Sequence, residues 1–137
     1  MPLRLDKKLN KERFFQALGD ATRLRLLNLM GDEELCVCTL VEILDQSQPK
    51  ISRHLAYLRR AGIVEARREG RWMHYRIAPP ADTGAAKLLR RTLKWLRQDR
   101  AMQVDRARLA KAACPPVKSV ALPNAAQPTV GRIRKAR

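Results

Sequence analysis

The segment "SQPKISRHLAYLRRAG", residues 47–62, carries the start, stop and one-sided apolar signals of a single short helix. Ser47 is a good N-cap because its hydroxyl accepts from an unpaired backbone N–H, and Pro49 is tolerated in a first turn whose N–H groups have no intrahelical acceptor. Gly62 supplies the left-handed residue that terminates such a helix. Between them Ile51, Leu55 and Leu58 fall at i, i+4 and i+7, so one stripe faces inward, and Lys50, Ser52, Arg53, His54, Tyr57 and Arg60 are left on or near the outside.

Upstream, Leu9, Phe14, Phe15 and Leu18 mark a first helix that stops near Gly19. Asp20 caps a second, from Ala21 to about Met30, whose Leu24, Leu26, Leu27 and Leu29 leave little polar face and predict burial. "TLVE" sets Thr39 and Glu42 at capping-box spacing and predicts a short third helix starting there. Downstream, "IVEARREGRWMHYRI" changes period: two alternating runs about Glu69 and Gly70 form a hairpin signature. Val64 and Ala66 on one arm, with Met73, Tyr75 and Ile77 on the other, cover the core, and Pro79 and Pro80 end the ribbon. A final helix from about Thr83 to Lys111 carries Leu89, Leu93 and Leu96 on one stripe and Leu88, Trp95 and Met102 beside it. So wide an apolar surface needs a further helix to cover it, most simply one from a second copy.

Helices, a capped helix pair and then a basic hairpin predict a mainly α fold with a small β hairpin, a winged helix-turn-helix, dimeric through its terminal helices. A chain of 137 residues is enough for one such domain, residues 1–111. Residues 112–137 hold four of the eight prolines, five Lys or Arg and no acid, and read as a basic, Pro/Ala-rich disordered tail. No stretch approaches the ~20 apolar residues of a membrane span. The opening "MPLRLDKKLNKERFF" is charged where a signal peptide needs an apolar run, so a cytoplasmic location is expected. Three cysteines, an odd count, argue against a disulfide framework.

The formal charge of +16 exceeds what solubility needs and favours a polyanionic partner. Between Lys50 and Arg76 lie eight basic residues and two acidic ones. A charge run alone is ordinarily a solvated face, but here it coincides with a helix whose outer side carries Gln48, Lys50, Ser52, Arg53 and His54, types suited to base edges and phosphates. A helix about 10 Å across fits the major groove of duplex DNA. Gln48 and Arg53 are then candidates for bidentate contacts to adenine and guanine edges, and Ser47, Lys50, Ser52 and Tyr57 for the phosphate backbone, with His54 suited to packing, phosphate or base. On the hairpin, Arg67, Arg68, Arg71 and Arg76 can follow neighbouring phosphates, while His74 in its alternating strand reads as structural.

"ELCVCTL", residues 34–40, places two thiols one residue apart, immediately ahead of the expected Thr39 cap. In extended backbone positions i and i+2 lie on one side, so Cys36 and Cys38 can converge, and the positive end of a helix dipole favours the thiolate that binds metal. Cysteine is also among the commonest buried residues, so plain packing stands beside the metal reading. A structural zinc site wants four ligands that this chain does not offer, and two thiolates plus one further ligand suit a soft, low-coordinate ion better.

"ELCVCTL", "LDQSQPKISRHLAYLRRAGIV" and "GRWMHYRI" resemble the ArsR-type (ArsR/SmtB) metalloregulators, and closely the arsenical-resistance repressors among them, from about Phe15 to Ile77. The resemblance implies a homodimeric winged-helix repressor that sits on operator DNA and releases it when As(III) or Sb(III) binds the thiols beside the third helix. It makes Cys36 and Cys38 the inducer ligands and Gln48 to Tyr57 the recognition helix. Family members of this kind often carry a third cysteine three residues after the second; here that position is Val41, which leaves Cys114, a small external thiol or water as third ligand. Cadmium and lead sensors of the family add cysteines near the N-terminus, and none precedes Cys36; zinc, nickel and cobalt sensors use His on the last helix, and Thr83 to Lys111 has none.

Two rival readings remain: a basic architectural protein that binds DNA without an effector, and a winged-helix repressor sensing another thiol-reactive signal. An enzyme is not indicated, because two histidines, no glycine-rich phosphate loop and no clustered carboxylates offer no acid/base or nucleophile constellation.

Overall fold

The computed structural model describes residues 9–112. The tail and Cys114 lie outside the described residues. Helix α1 (Lys11–Leu18) is capped by the Asn10 side chain, which accepts from the Arg13 N–H, and α2 (Ala21–Met30) by Asp20, which accepts from Thr22 and Arg23. Strand β1 (Leu35–Cys36) leads directly into α3 (Val37–Leu44). Helix α4 (Gln48–Arg60) follows, then the hairpin β2 (Val64–Glu69) and β3 (Trp72–Ile77), and finally α5 (Thr83–Leu96) and α6 (Arg100–Ala110).

The signals in 47–62 produce the helix they predict. Ser47 Oγ accepts from the Lys50 N–H at 3.3 Å, and Ile51, Leu55 and Leu58 are fully buried. Each such side chain removed from water stabilises the fold by about 1.5–3 kcal/mol, which is what seats α4 on α2 and α3. At its end Gly62 takes φ +78°, letting its own N–H and that of Ile63 reach the carbonyls of Arg59 and Leu58. The hairpin turn is Gly70–Arg71, with Gly70 at φ +65° and Glu69 paired to Trp72. Among the described residues no helix is long and apolar enough to cross a membrane.

Three local expectations are corrected. Helix α3 begins two residues before the expected Thr39 cap: Cys36 itself is the N-cap, Cys38 lies inside the first turn, and Thr39 is buried. A sulfur acceptor does the work assigned to the Thr39 hydroxyl and Glu42 carboxylate. Second, the wing is a sheet of three strands rather than two, in the order β1-β3-β2, because Leu35 and Cys36 pair antiparallel with Tyr75 and His74. Third, the last helix is two. The chain turns after Leu96 and restarts at Asp99, whose carboxylate accepts from the Met102 N–H, so that α6 folds back onto α2 and α3.

That return is held by polar contacts as well as by Leu109 and Met102. Asp105 is 2% exposed and takes a two-pronged bond from Arg25, with Nε to Oδ2 at 2.8 Å and Nη2 to Oδ1 at 3.0 Å. The Asn28 amide donates to the Met102 carbonyl, and Arg106 donates to that of Asn28. At the far end Arg108 donates to the Ile43 carbonyl of α3.

Candidate nucleic-acid interface and thiol site

Gln48, Lys50 and Arg53 stand exposed on α4, with Ser47 exposed at its start and Ser52 half-buried beside them. Their spacing follows from the buried stripe: with positions 51, 55 and 58 committed to the core, the opposite side of a 3.6-residue helix projects into solvent. Long, flexible donors at the N-terminal end of a helix are what reach base edges once the helix enters a groove. Arg53→Ala is expected to lower DNA affinity by about 1–3 kcal/mol and to relax preference at one base step, read by competition against duplexes altered one position at a time.

His54 and Tyr57, also placed by the sequence on the DNA side, turn instead toward α1 and α2. Arg23 is the hub: its guanidinium donates to the Gln16 and Ala17 carbonyls at the end of α1, to His54 Nδ1 at 3.2 Å, and lies 4.0 Å over the Tyr57 ring. Tyr57 also donates its hydroxyl to the Gln16 amide oxygen. Burial, and the nearby cations Arg23, Lys50 and Arg53, hold the His54 ring below its ordinary pKa despite the opposing Asp20 carboxylate. A neutral ring keeps the Nδ1 lone pair that Arg23 needs. Asp20 titrates below its ordinary value: burial pushes its pKa up, but the Arg23 and Thr22 N–H groups, the His54 ring, protonated in the acid range where a carboxyl titrates, and the Arg23 charge outweigh that. Together these contacts fix how α4 is presented.

On the wing, Arg68 and Arg71 are exposed, and Arg76 is exposed and paired with Glu65 at 2.9 Å. Arg67 differs. Its Nε and Nη2 donate to the two carboxylate oxygens of Glu34 at 2.9 and 2.7 Å, and Nη1 donates to Glu69 at 3.1 Å. Glu34, only 2% exposed, was not singled out by the sequence. Burial raises its carboxyl pKa, but the Arg67 fork, with the charges of His74 and Arg76, more than reverses this and holds it below the ordinary carboxylate value.

The thiols meet beside this pair. Cys36 Sγ accepts from the Cys38 N–H at 3.4 Å and from the Cys38 thiol at 2.8 Å, and the Cys38 sulfur lies 4.0 Å from the Thr39 hydroxyl. Convergence survives the corrected helix start, because the N-cap keeps extended backbone (φ −76°, ψ 146°) and its sulfur folds over the first turn. Both side chains are partly exposed, and α3, which carries them, packs directly on α4. Among the described residues no three His, Cys, Asp or Glu side chains cluster as a metal site.

Comparison with known proteins agrees with this arrangement. Residues 20–66 match the family described as "Bacterial regulatory protein, arsR family". The chain is 51% identical over 76 residues to the arsenical resistance operon repressor of Escherichia coli (strain K12), across 55% of this chain and 65% of that protein. It is 46% identical over 90 residues to the arsenic resistance transcriptional regulator ArsR1 of Pseudomonas putida KT2440, across 62% of this chain and 70% of that one. Among solved structures, HlyU from Vibrio cholerae N16961 superposes with a TM-score of 0.52 at 33% identity, over 59% of this chain and 88% of that chain. With α4, the three-stranded wing and the identity reaching 46% over 70% of a relative's length, the chain belongs to the arsR family of bacterial regulatory proteins, which are transcriptional regulators and not enzymes.

Proposed function

We propose that this protein is a homodimeric transcriptional repressor that binds operator DNA through α4 and the wing and leaves it when As(III) or Sb(III) binds Cys36 and Cys38. The observation that carries the reading is the sulfur pair at the N-cap of the helix on which α4 rests. Two adjacent thiols, partly open to solvent, suit a thiophilic, low-coordinate ion better than zinc, which wants four ligands, or a hard cation, which wants oxygen. Lys50, Arg53, Arg68 and Arg71 supply the cationic frame for DNA, with Ser47, Gln48 and Ser52 beside them.

The third ligand in this reading is Cys114, a small external thiol or water. Helix α6 lies on α3 and ends four residues before Cys114. Pairing of two copies draws on Phe15, Leu88, Trp95 and Val104, large apolar side chains left in water, Trp95 at 73% exposure. The relatives named for arsenic and arsenical resistance support the choice of inducer.

The ion acts by population shift. Its coordination geometry, imposed on the sulfur that caps α3 and on its neighbour in the first turn, favours an arrangement of α3 and α4 that fits DNA poorly, and a differential of ~3 kcal/mol changes affinity roughly a hundredfold. Fluorescence anisotropy with a duplex of the gene's own promoter tests it. Arsenite is expected to release the bound protein, while unrelated DNA at equal concentration competes weakly. Equal binding to unrelated DNA and indifference to arsenite would establish the effector-independent architectural protein instead.

A further inference from the structure

We propose that Glu34 and Arg67 are positioning residues of the response: through their ion pair, movement of the thiol segment is delivered to the wing as well as to α4. The inference rests on the repressor reading above and adds to it a second route by which the sulfurs reach DNA.

The sheet geometry puts the parts in line. Cys36 pairs with His74, and His74 pairs with Arg67, so one row crosses all three strands from the sulfur to the wing arginine. Paired residues of adjacent strands share a face, and Glu34, immediately before β1, and Glu69, on β2, stand two residues from Cys36 and Arg67. The face therefore presents Glu34, Cys36, His74, Arg67 and Glu69 together, with His74 Nε2 3.7 Å from the Glu69 carboxylate. The thiol segment is joined to β3 by backbone pairing and to β2 by the Arg67 fork. Arg68 and Arg71, one and four residues further on, are exposed.

The chemistry of the pair suits position more than stability. A carboxylate taken out of water is costly unless its oxygens are matched, and a buried pair is roughly neutral against an apolar replacement; what it fixes is geometry, since the guanidinium fork accepts the carboxylate in one plane and register. Glu34 is two residues from Cys36, so a shift of that sulfur moves the carboxylate, and the fork must follow or break. Either outcome displaces β2 and the exposed arginines beyond it. Arg67 is thereby withdrawn from the set of phosphate contacts suggested by the sequence, its three donating nitrogens being committed to Glu34 and Glu69.

The test is a double-mutant cycle on the full chain with Glu34→Gln, Arg67→Gln and the two combined, measuring promoter-duplex affinity with and without arsenite. Arsenite occupancy is followed separately as the thiols it shields from alkylation, and Arg67→Lys, which keeps the charge but loses the fork, covers the case in which Arg67→Gln folds poorly. Where the wild type shows about a hundredfold release, each single variant is expected to show less than about tenfold, the double no further loss, Arg67→Lys an intermediate value, and all of them full thiol shielding. A merely structural role would weaken DNA binding equally with and without arsenite and leave the ratio unchanged, which overturns the proposal. Ratios that fall additively, or variants that no longer take up arsenite, overturn it too. A wild type that ignores arsenite sinks the repressor reading itself, and this inference with it.

Discussion

Cys36→Ser/Cys38→Ser is expected to bind its promoter duplex as the wild type does and to keep it at an arsenite concentration that strips the wild type, a difference of about a hundredfold in apparent affinity, or roughly 2.7 kcal/mol of lost coupling. Two features make the variant informative. Neither sulfur lies among the exposed donors of α4 or the wing, so DNA contact is untouched. The fold survives as well: Cys36 caps α3 by accepting the Cys38 N–H, and a hydroxyl is a stronger acceptor there than sulfur, serine being among the preferred N-cap residues. Loss of release cannot then be blamed on a melted helix. Continued release by arsenite in this variant would remove the sulfurs from the mechanism, and circular dichroism at matched concentration checks the helix content on which the comparison depends.

Asp105→Ala should produce the largest loss of stability among single polar substitutions in the described residues. Removing one partner of a buried pair costs about 3–5 kcal/mol where the survivor stays buried, but the Arg25 side chain is 30% exposed and can swing to water, so about 2–3 kcal/mol is the expectation. Against a typical total of about 5–15 kcal/mol that is a severe loss. It should fall first on α6, which the Arg25 fork holds against α2 and whose other ties are single bonds involving Asn28, Arg106 and Arg108. Urea unfolding reads the stability change, and amide exchange in residues 100–110 reads its location. A midpoint within experimental scatter of the wild type would show that Leu109 and Met102 alone hold the helix.

Features set by neighbours in sequence were legible before the structure. Asp20 and Ser47 cap the helices they precede, Gly62 takes the left-handed conformation, and Ile51, Leu55 and Leu58 form the buried stripe, because each depends on chemistry within one or two turns. What escaped depends on distant partners. Two residues make a strand at 35–36 only because β3 offers them a free edge, and no local pattern announces that. Thr39 and Glu42 have the familiar capping chemistry, so they outweighed a cysteine that caps with sulfur. The apolar spacing from Leu89 to Met102 runs smoothly past Arg97, although Asp99, an acidic residue three before Met102, was a readable break. At the site, exposed Gln48, Lys50, Arg53, Arg68 and Arg71 follow from helix and strand periodicity. His54, Tyr57 and Arg67 lie on the same elements but are engaged by Arg23 and Glu34, charged residues that hydropathy assigns to solvent.

The brevity of β1 also bears on how small a stimulus can work. Two residues contribute one short rung to the wing sheet, and in energetic terms a rung of that length resembles a detent more than a weld. Leu35 anchors the near end of that rung in the same core as Phe14, Leu26, Leu40 and Leu55, so the shift is confined to its Cys36 end. A single captured atom can therefore trip the catch while the body of the domain keeps its shape, and the catch can reset when that atom departs.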